Sequence, residues 1–293
     1  MNYTKPFLKW AGNKYRIIDR VLESINYNKY NRTHYIEPFG GAGSILTNLE
    51  GVFKKRIYSD YNKDLVDLFI HIQNDRESLI REINRIFTPK NNHEIKYYEL
   101  RSEFNELRES SSSVRKSAIF VYLNRHCFNG LCRYGPKGFN VPFGRYKSIT
   151  APIEEINSVY YKITSNVKII SGDFEKVIKD ANENTLVYCD PPYFPLSVTS
   201  SFTKYAGGND FGLDSQERLA IAAQKAVERG AVVLISNHNT RECRKLYESM
   251  QTKNVLVDLS NEFEVPRFIS AKGSSRGKGS PELIAVFKPK YTK

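Results

Sequence analysis

The stretch HYIEPFGGAGSI, residues 34–45, sets a short apolar run against a glycine-rich turn, and its reading decides the fold. Residues 34–37 fit a buried strand, Gly40, Gly41 and Gly43 a turn whose backbone can approach a ligand closely, and Ser44-Ile45-Leu46 the start of a helix. Such a turn is weak evidence alone, because it does not reproduce the full dinucleotide pattern GxGxxG. A second strand, RIYSD at 56–60, strengthens it by ending on Asp60, 23 residues after Glu37. That is where a doubly wound sheet places an acid that accepts hydrogen bonds from ribose hydroxyls. The alternative for Asp60 is an N-cap on a helix starting near Asn62-Lys63-Asp64.

Working outward, further strands are predicted at VKIIS (167–171), TLVYC (185–189), AVVLIS (231–236), NVLVDL (254–259) and LIAVF (283–287). Several are apolar without alternation, as strands covered on both faces are. Before the glycine turn, Ile17, Ile18, Val21, Leu22 and Ile25 have helical spacing. Asp214 with Glu217 reads as a capping box for a helix through Leu219, Ala222, Ala223, Ala226 and Val227 that stops at Gly230. From about Asn62 to Tyr161 no convincing strand appears. Helical spacing recurs instead at Leu65–Ile72, Leu79–Ile86 and Val114–His126, the last after a flexible-looking Ser110–Ser113 run. The expected fold is α/β, a Rossmann-like doubly wound sheet formed by residues 1–61 and 162–293, split by a helical insertion at 62–161.

The chain of 293 residues carries 44 Lys and Arg against 32 Asp and Glu, a formal charge of +12 that favours a polyanionic partner. Between Ser110 and Ile153 there is no acid, while Arg115, Lys116, Arg125, Arg133, Lys137, Arg145 and Lys147 all fall inside. Phe120, Tyr122, Phe128, Tyr134, Phe139, Phe143 and Tyr146 are interleaved with them. The mixture fits a surface that neutralises phosphates and stacks or wedges bases; the plainer alternative is a solvated basic face over core aromatics.

LVYCDPPYF, residues 186–194, ends a strand on Asp190 and follows it with Pro191, Pro192 and Tyr193. A capped strand end is the plain reading. A nicotinamide enzyme offers no role for that stiffened acid, and a phosphate-binding GxxxxGK[ST] is absent, so a nucleoside cofactor without a polyphosphate tail is expected. The four cysteines, Cys127, Cys132, Cys189 and Cys243, form no CxxC pair, which implies buried reduced thiols and no metal site. No run is long enough to span a bilayer and the N-terminus lacks the order of a secretory signal, so a cytoplasmic protein without membrane contact is expected.

Six motifs in order, FLKWAGNK from Phe7, EPFGGAG from Glu37, NRHCFNGLCRY from Asn124, FNVPFGRYK from Phe139, DPPY from Asp190 and LISNH from Leu234, resemble the Dam-type, alpha-group DNA adenine-N6 methyltransferases over most of the chain. The resemblance implies S-adenosylmethionine as cofactor, double-stranded DNA as partner, a helical insertion that reads the target, commonly GATC, and base flipping. Trp10 and Lys14 resemble residues bordering the cofactor, Asp60 the ribose acid and Asp173 the acid on the cofactor adenine, with Glu37, Pro38, Phe39, Gly40, Gly41 and Gly43 in the lining turn. Asp190, Pro191, Pro192 and Tyr193 match the catalytic motif. For DNA, Lys9 and Arg133 resemble guanine contacts, Leu131 and Pro142 contacts near a thymine methyl, and Phe128 and Asn129 groups pushed into the duplex. Arg125, Asn140, Arg145 and Tyr146, in the same motifs, complete the expected DNA face. Asn13 stands where the family usually has a second glycine, and Phe128 replaces the usual tyrosine, keeping stacking and losing a hydroxyl.

The residue types suit the chemistry. An adenine amine is a poor nucleophile because its lone pair is delocalised into the ring. A carboxylate at Asp190 and the Pro191 carbonyl can each accept one of its N–H groups and aim the lone pair at a methyl donor. Proline fixes φ near −65° and removes a competing N–H. Tyr193 can stack on a flipped base. Arg133 has the planar fork that matches guanine, although a phosphate contact is the alternative. Methylation of cytosine N4 or of an RNA base uses the same amine chemistry, and a non-catalytic basic DNA-binding module is the competitor from another class. One catalytic unit per chain is compatible with a monomer.

Overall fold

The computed structural model describes residues 3–49, 51–108, 112–196, 211–266 and 279–290. A 3-10 turn at Lys14–Ile17 runs into α1 (Ile18–Ile25), whose Ile18, Val21 and Ile25 share one buried side as their three- and four-residue spacing requires. After the short α2 (Tyr27–Tyr30) come the parallel strands β1 (His34–Glu37) and β2 (Lys55–Asp60). Helices α3 (Lys63–Asn74), α4 (Arg76–Ile86), α5 (Glu94–Arg108) and α6 (Val114–His126) follow. A two-residue hairpin, β3 (Tyr134–Gly135) with β4 (Gly138–Phe139), then precedes α7 (Ile153–Ile163). The chain returns through β5 (Val167–Ser171), α8 (Phe174–Ile178), β6 (Thr185–Cys189), α9 (Leu213–Glu228), β7 (Val232–His238) and α10 (Arg241–Glu248). It ends in β8 (Val255–Asp258), β9 (Glu262–Pro266) and β10 (Gly279–Pro289).

The main sheet has the order β5-β2-β1-β6-β7-β10-β8, with β9 also on β10. Its first five strands are parallel, whereas β10 runs antiparallel to β7, β8 and β9. The expected α/β doubly wound fold is present. From β1 the chain steps outward to β2 and β5, then crosses to β6 on the other flank, so the order reverses between β1 and β6. In open α/β sheets the crevice at such a reversal, beyond the carboxyl ends of the strands, is where ligands bind. Glu37 ends β1 and Cys189 ends β6, so the EPFGG turn and Asp190 both open onto it.

Side chains alternate between two apolar layers: Tyr35, Leu186, Tyr188, Val232 and Leu234 pack on one face, Ile36, Val187, Cys189, Val233 and Ile235 on the other. The first layer continues without a break into Leu65, Phe69, Phe104, Phe120 and Ile156 of the helical insertion. α6 is its centre, buried from Lys116 to Asn124. Lys116 survives there because its ammonium lies 2.8 Å from Asp67 and 3.4 Å from Asp64. An ion so buried is tolerated only when paired.

Several local expectations are corrected. The insertion is not strand-free, because β3 and β4 pair and Cys127 bridges Phe143. The Asp214–Glu217 capping box does not form: α9 starts two residues earlier than that box requires, with Gly212 at its N-cap and no side-chain cap. Ser113, by contrast, is ordered as the N-cap of α6, accepting from Lys116 N, while Ser110 and Ser111 lie outside the described residues. Asn62 and not Asp60 caps α3, its Oδ1 accepting from Asp64 N and Leu65 N. Cys132 is half-buried where full burial was expected, the other three cysteines are buried, and all four are free thiols.

Candidate active site

Asp190 leaves the end of β6 beside Glu37, in the crevice at the sheet reversal. Lys14 Nζ reaches Asp190 Oδ1 at 2.7 Å and donates to Gly12 O at 2.8 Å. Lys14 thus holds one oxygen of this acid directly, as the ammonium partner of a carboxylate at the mouth of the turn. Burial raises the Asp190 carboxyl above its ordinary value, and the charge of Lys14 opposes the rise. The same ammonium sits 4.8 Å from the centroid of the Tyr193 ring. Tyr193 is turned by two further contacts: its hydroxyl donates to Glu282 Oε2 at 3.2 Å, and its ring meets His238 edge-on at 4.9 Å. Pro191 is buried and Pro192 partly so.

The glycine turn is braced by the acid expected for it. Gly41 N donates to Asp60 Oδ2 at 3.0 Å and Asn62 N to Oδ1 at 2.8 Å, so both oxygens of a carboxylate 1% exposed hold backbone. The turn's missing side chains make room for the protein's own rings. A Cβ at Gly40 would lie 2.2 Å from Tyr58, and one at Gly43, where φ is +72°, 2.9 Å from Phe69. Trp10 covers Gly41, where a Cβ would come 3.0 Å from the indole nitrogen. Pro38 and Phe39 are buried, and Phe39 stacks on Phe174 at 5.4 Å. Asp173 caps α8 by accepting from Glu175 N and pairs with Arg218 at 3.1 Å. Burial pushes Glu37 up to about 8, with Asp190 and Asp60 adding to the rise and a hydrogen bond from Tyr35 opposing it. Asn13 needs no glycine geometry: its φ is −55°, and its Oδ1 accepts from Tyr15 N at 2.9 Å and Ser44 Oγ at 2.7 Å.

The basic window divides in space. Arg115 pairs with Glu103 through two bonds of 2.7 and 2.8 Å, and Lys116 is the buried ion of α6, so neither is available to a partner. Phe120, Tyr122 and Phe139 are core residues, and of the seven interleaved aromatics only Phe128, 51% exposed, is open to solvent. Acid-free sequence is thus not acid-free surface. The residues expected to face DNA do collect in one loop. Phe128 N donates to Pro142 O at 2.9 Å, Asn129 N to Tyr146 Oη at 3.1 Å, and Lys9 Nζ lies 3.9 Å from the Tyr146 ring centroid. Gly130, at φ +64°, is required because a Cβ there would sit 2.3 Å from Lys9. Lys9 Nζ donates to Arg125 O at 3.3 Å, and burial lowers both Lys9 and Arg125 from their ordinary values. Arg133 Nε donates to Asn140 Oδ1 at 2.8 Å, Arg145 lies exposed at 3.7 Å from Glu94, and Leu131 is half-buried.

The D12 class N6 adenine-specific DNA methyltransferase family model matches residues 10–258, most of the chain and both halves of the site. The chain belongs to this family. Among curated relatives, the DNA adenine methylase of Vibrio cholerae is 39% identical over 291 residues, covering 99% of this chain and 98% of that protein. The DNA adenine methylase of Escherichia coli is 37% identical over 290 residues, covering 99% and 97%. The Type II methyltransferase M.MjaIII of Methanocaldococcus jannaschii is 40% identical, covering 96% and 98%.

In this adenine-specific DNA methyltransferase the residues that sequence reasoning missed are those that hold the motif from outside. Gln216, Asn237, Tyr247 and Glu282 all bond to DPPYF or to each other. Only Asn237 carried a signal, as part of LISNH. No group of three or more His, Cys, Asp or Glu that could hold a metal ion occurs among the described residues, and none of the described helices is long and apolar enough to cross a membrane.

Proposed function

We propose that the enzyme moves a methyl group from S-adenosylmethionine to the N6 amine of an adenine flipped out of a short duplex site, with GATC the site of first choice. The observation that carries this is the corner at the sheet reversal. There a proline-stiffened acid, paired with Lys14, stands beside a ring, Tyr193, and opens onto a glycine turn. The residues fit the cofactor in kind. The Asp60 carboxylate braces the turn and Asp190 stands at its mouth beside Lys14, acids suited to a sulfonium and an ammonium. Trp10 and the turn 37–43 would border the cofactor, with Asp60 and Asp173 toward its nucleoside. When bound, it supplies an electrophilic methyl group.

The rest is done by the chain. The Asp190 carboxylate and the Pro191 carbonyl accept the two amine protons and aim the nitrogen lone pair, while Tyr193 stacks on the base. Orientation is the larger contribution, since a well-placed encounter is worth roughly 7–11 kcal/mol. Residues 62–161 together with Lys9 serve target recognition: Arg133 and Lys9 toward guanines, Leu131 and Pro142 toward a thymine methyl, Phe128 and Asn129 into the duplex. Arg125, Asn140, Arg145 and Tyr146 hold backbone. The names of the Vibrio and Escherichia relatives support adenine over cytosine.

The test incubates the purified protein with methyl-labelled cofactor and duplexes carrying GATC or a one-base substitute, then identifies the labelled base. Label on adenine N6 in GATC alone is expected. Label on cytosine or in RNA would replace the substrate, and no transfer to any of them would favour a binding module.

A further inference from the structure

The segment 190–194 belongs to no strand, and its two prolines contribute no N–H. Its conformation therefore depends on what the remaining backbone groups meet. Pro192 O accepts from Gln216 Nε2 at 2.7 Å, Phe194 N donates to Asn237 Oδ1 at 2.8 Å, and Phe194 O lies 2.6 Å from His238 Nδ1. Gln216, on α9, and Asn237, on β7, are both 0% exposed and bonded to each other, Asn237 Nδ2 donating to Gln216 Oε1 at 3.2 Å. The amides orient one another. Asn237 Oδ1 accepts from Phe194 N and from His238 N, so its Nδ2 faces Gln216 Oε1 and the Tyr247 hydroxyl at 3.0 Å. Gln216 then has only Nε2 to offer Pro192.

We propose that Gln216 is a positioning residue for methyl transfer: from α9 it fixes the direction of the Pro192 carbonyl, and thereby the tilt of Tyr193 and the line along which Asp190 and Pro191 meet the amine. The proposal rests on the functional reading above. The proline rings already set φ at residues 191 and 192. What they leave open at Pro192 is ψ, and the Gln216 bond closes that rotation. A buried carbonyl deprived of its donor turns to find another, and the plane carrying Tyr193 turns with it. Gln216 touches no reacting atom in this scheme; its effect passes through the motif's backbone.

Gln216→Met keeps length and removes the donor. Its single-turnover transfer rate should fall on the order of 10²-fold, the scale expected of an ångström-sized misplacement, with cofactor and duplex dissociation constants unchanged. Gln224→Met is the control: Gln224 donates to Met250 O at 2.9 Å from the same helix, away from the motif, and its loss should leave the rate at the wild-type level. Gln216→Glu separates positioning from packing, since a neutral carboxyl can donate to Pro192 O and an ionised one cannot. The ratio of its rate to wild type should rise as pH falls. A wild-type rate in Gln216→Met, or a Glu ratio flat with pH at a value well below one, overturns the proposal, whereas a ratio near one wherever the carboxyl is neutral supports it; should the Met variant fail to fold, the Glu ratio decides. No transfer by wild type itself would instead overturn the functional reading.

Discussion

The motif at 190–194 and the loop at 128–146 carry opposite designs. The first is half-buried to buried, held by side chains from α9, β7 and β10, with its acid beside an ammonium 8% exposed. The second is braced within itself, by Phe128 on Pro142, Asn129 on Tyr146 and Arg133 on Asn140, and from α5 by Tyr97 on Val141 O and Asn105 on Phe139, yet it leaves Phe128, Arg133 and Arg145 in solvent. A reaction that depends on aiming one lone pair gains from groups fixed in a low dielectric before substrate arrives. A surface that must first find a polyanion gains from exposed cations, whose interactions are long-ranged but screened by salt.

Four changes strain this contrast, in decreasing order of effect. Asp190→Ala should lower single-turnover methyl transfer on the order of 10³-fold while duplex affinity stays within about twofold. Equal loss of binding and rate would mean that the two regions are not separable.

Glu37→Gln tests the low dielectric of the corner. Folded Glu37 keeps its proton to about 8 whereas the unfolded carboxyl loses it near 4.5, so the folded state binds the extra proton inside that window. Wild-type stability from this group is therefore complete below the lower value and is lost as pH rises, by up to about 1.4 kcal/mol per pH unit. The Gln variant lacks this slope, and its melting temperature should gain on wild type from acid toward pH 8. A constant difference across the window would place Glu37 in contact with water.

Arg133→Ala should reduce discrimination at one base pair by roughly 1–3 kcal/mol, read on a panel of one-base substituted duplexes. Uniform weakening on every site would make it a phosphate contact. Smallest is Arg145→Ala, which should lower the slope of log affinity against log salt by about one and leave site preference unchanged.

The parts of this protein that were legible in advance are those written in neighbouring residues. β1, β6 and β7 were readable because strands covered on both faces are apolar throughout, and α6 was bounded correctly at 114 and 126, although Ser113 before it read as flexible chain and is its N-cap. The glycine turn and the Asp190 terminus were visible for the same reason. Sequence proximity misled where charge was concerned: Arg115 looked available because no acid stood near it in the window, yet Glu103 and Glu82 reach it from α5 and α4. At Asp60 proximity offered the N-cap alternative, whereas Asn62 caps α3 and Asp60 accepts from Gly41, 19 residues back.

By itself the sequence determined a doubly wound sheet, the position of its glycine turn, the acid closing β6 and a basic insertion, because strand, turn and helix preferences act over a few residues. Only the tertiary structure decided which cations stay exposed, that Gly40 and Gly43 admit Tyr58 and Phe69, and that Gln216 and Asn237 hold the motif from 24 and 43 residues away. Hydrogen bonds and ion pairs take their strength from burial and angle, and both exist only after distant segments have packed.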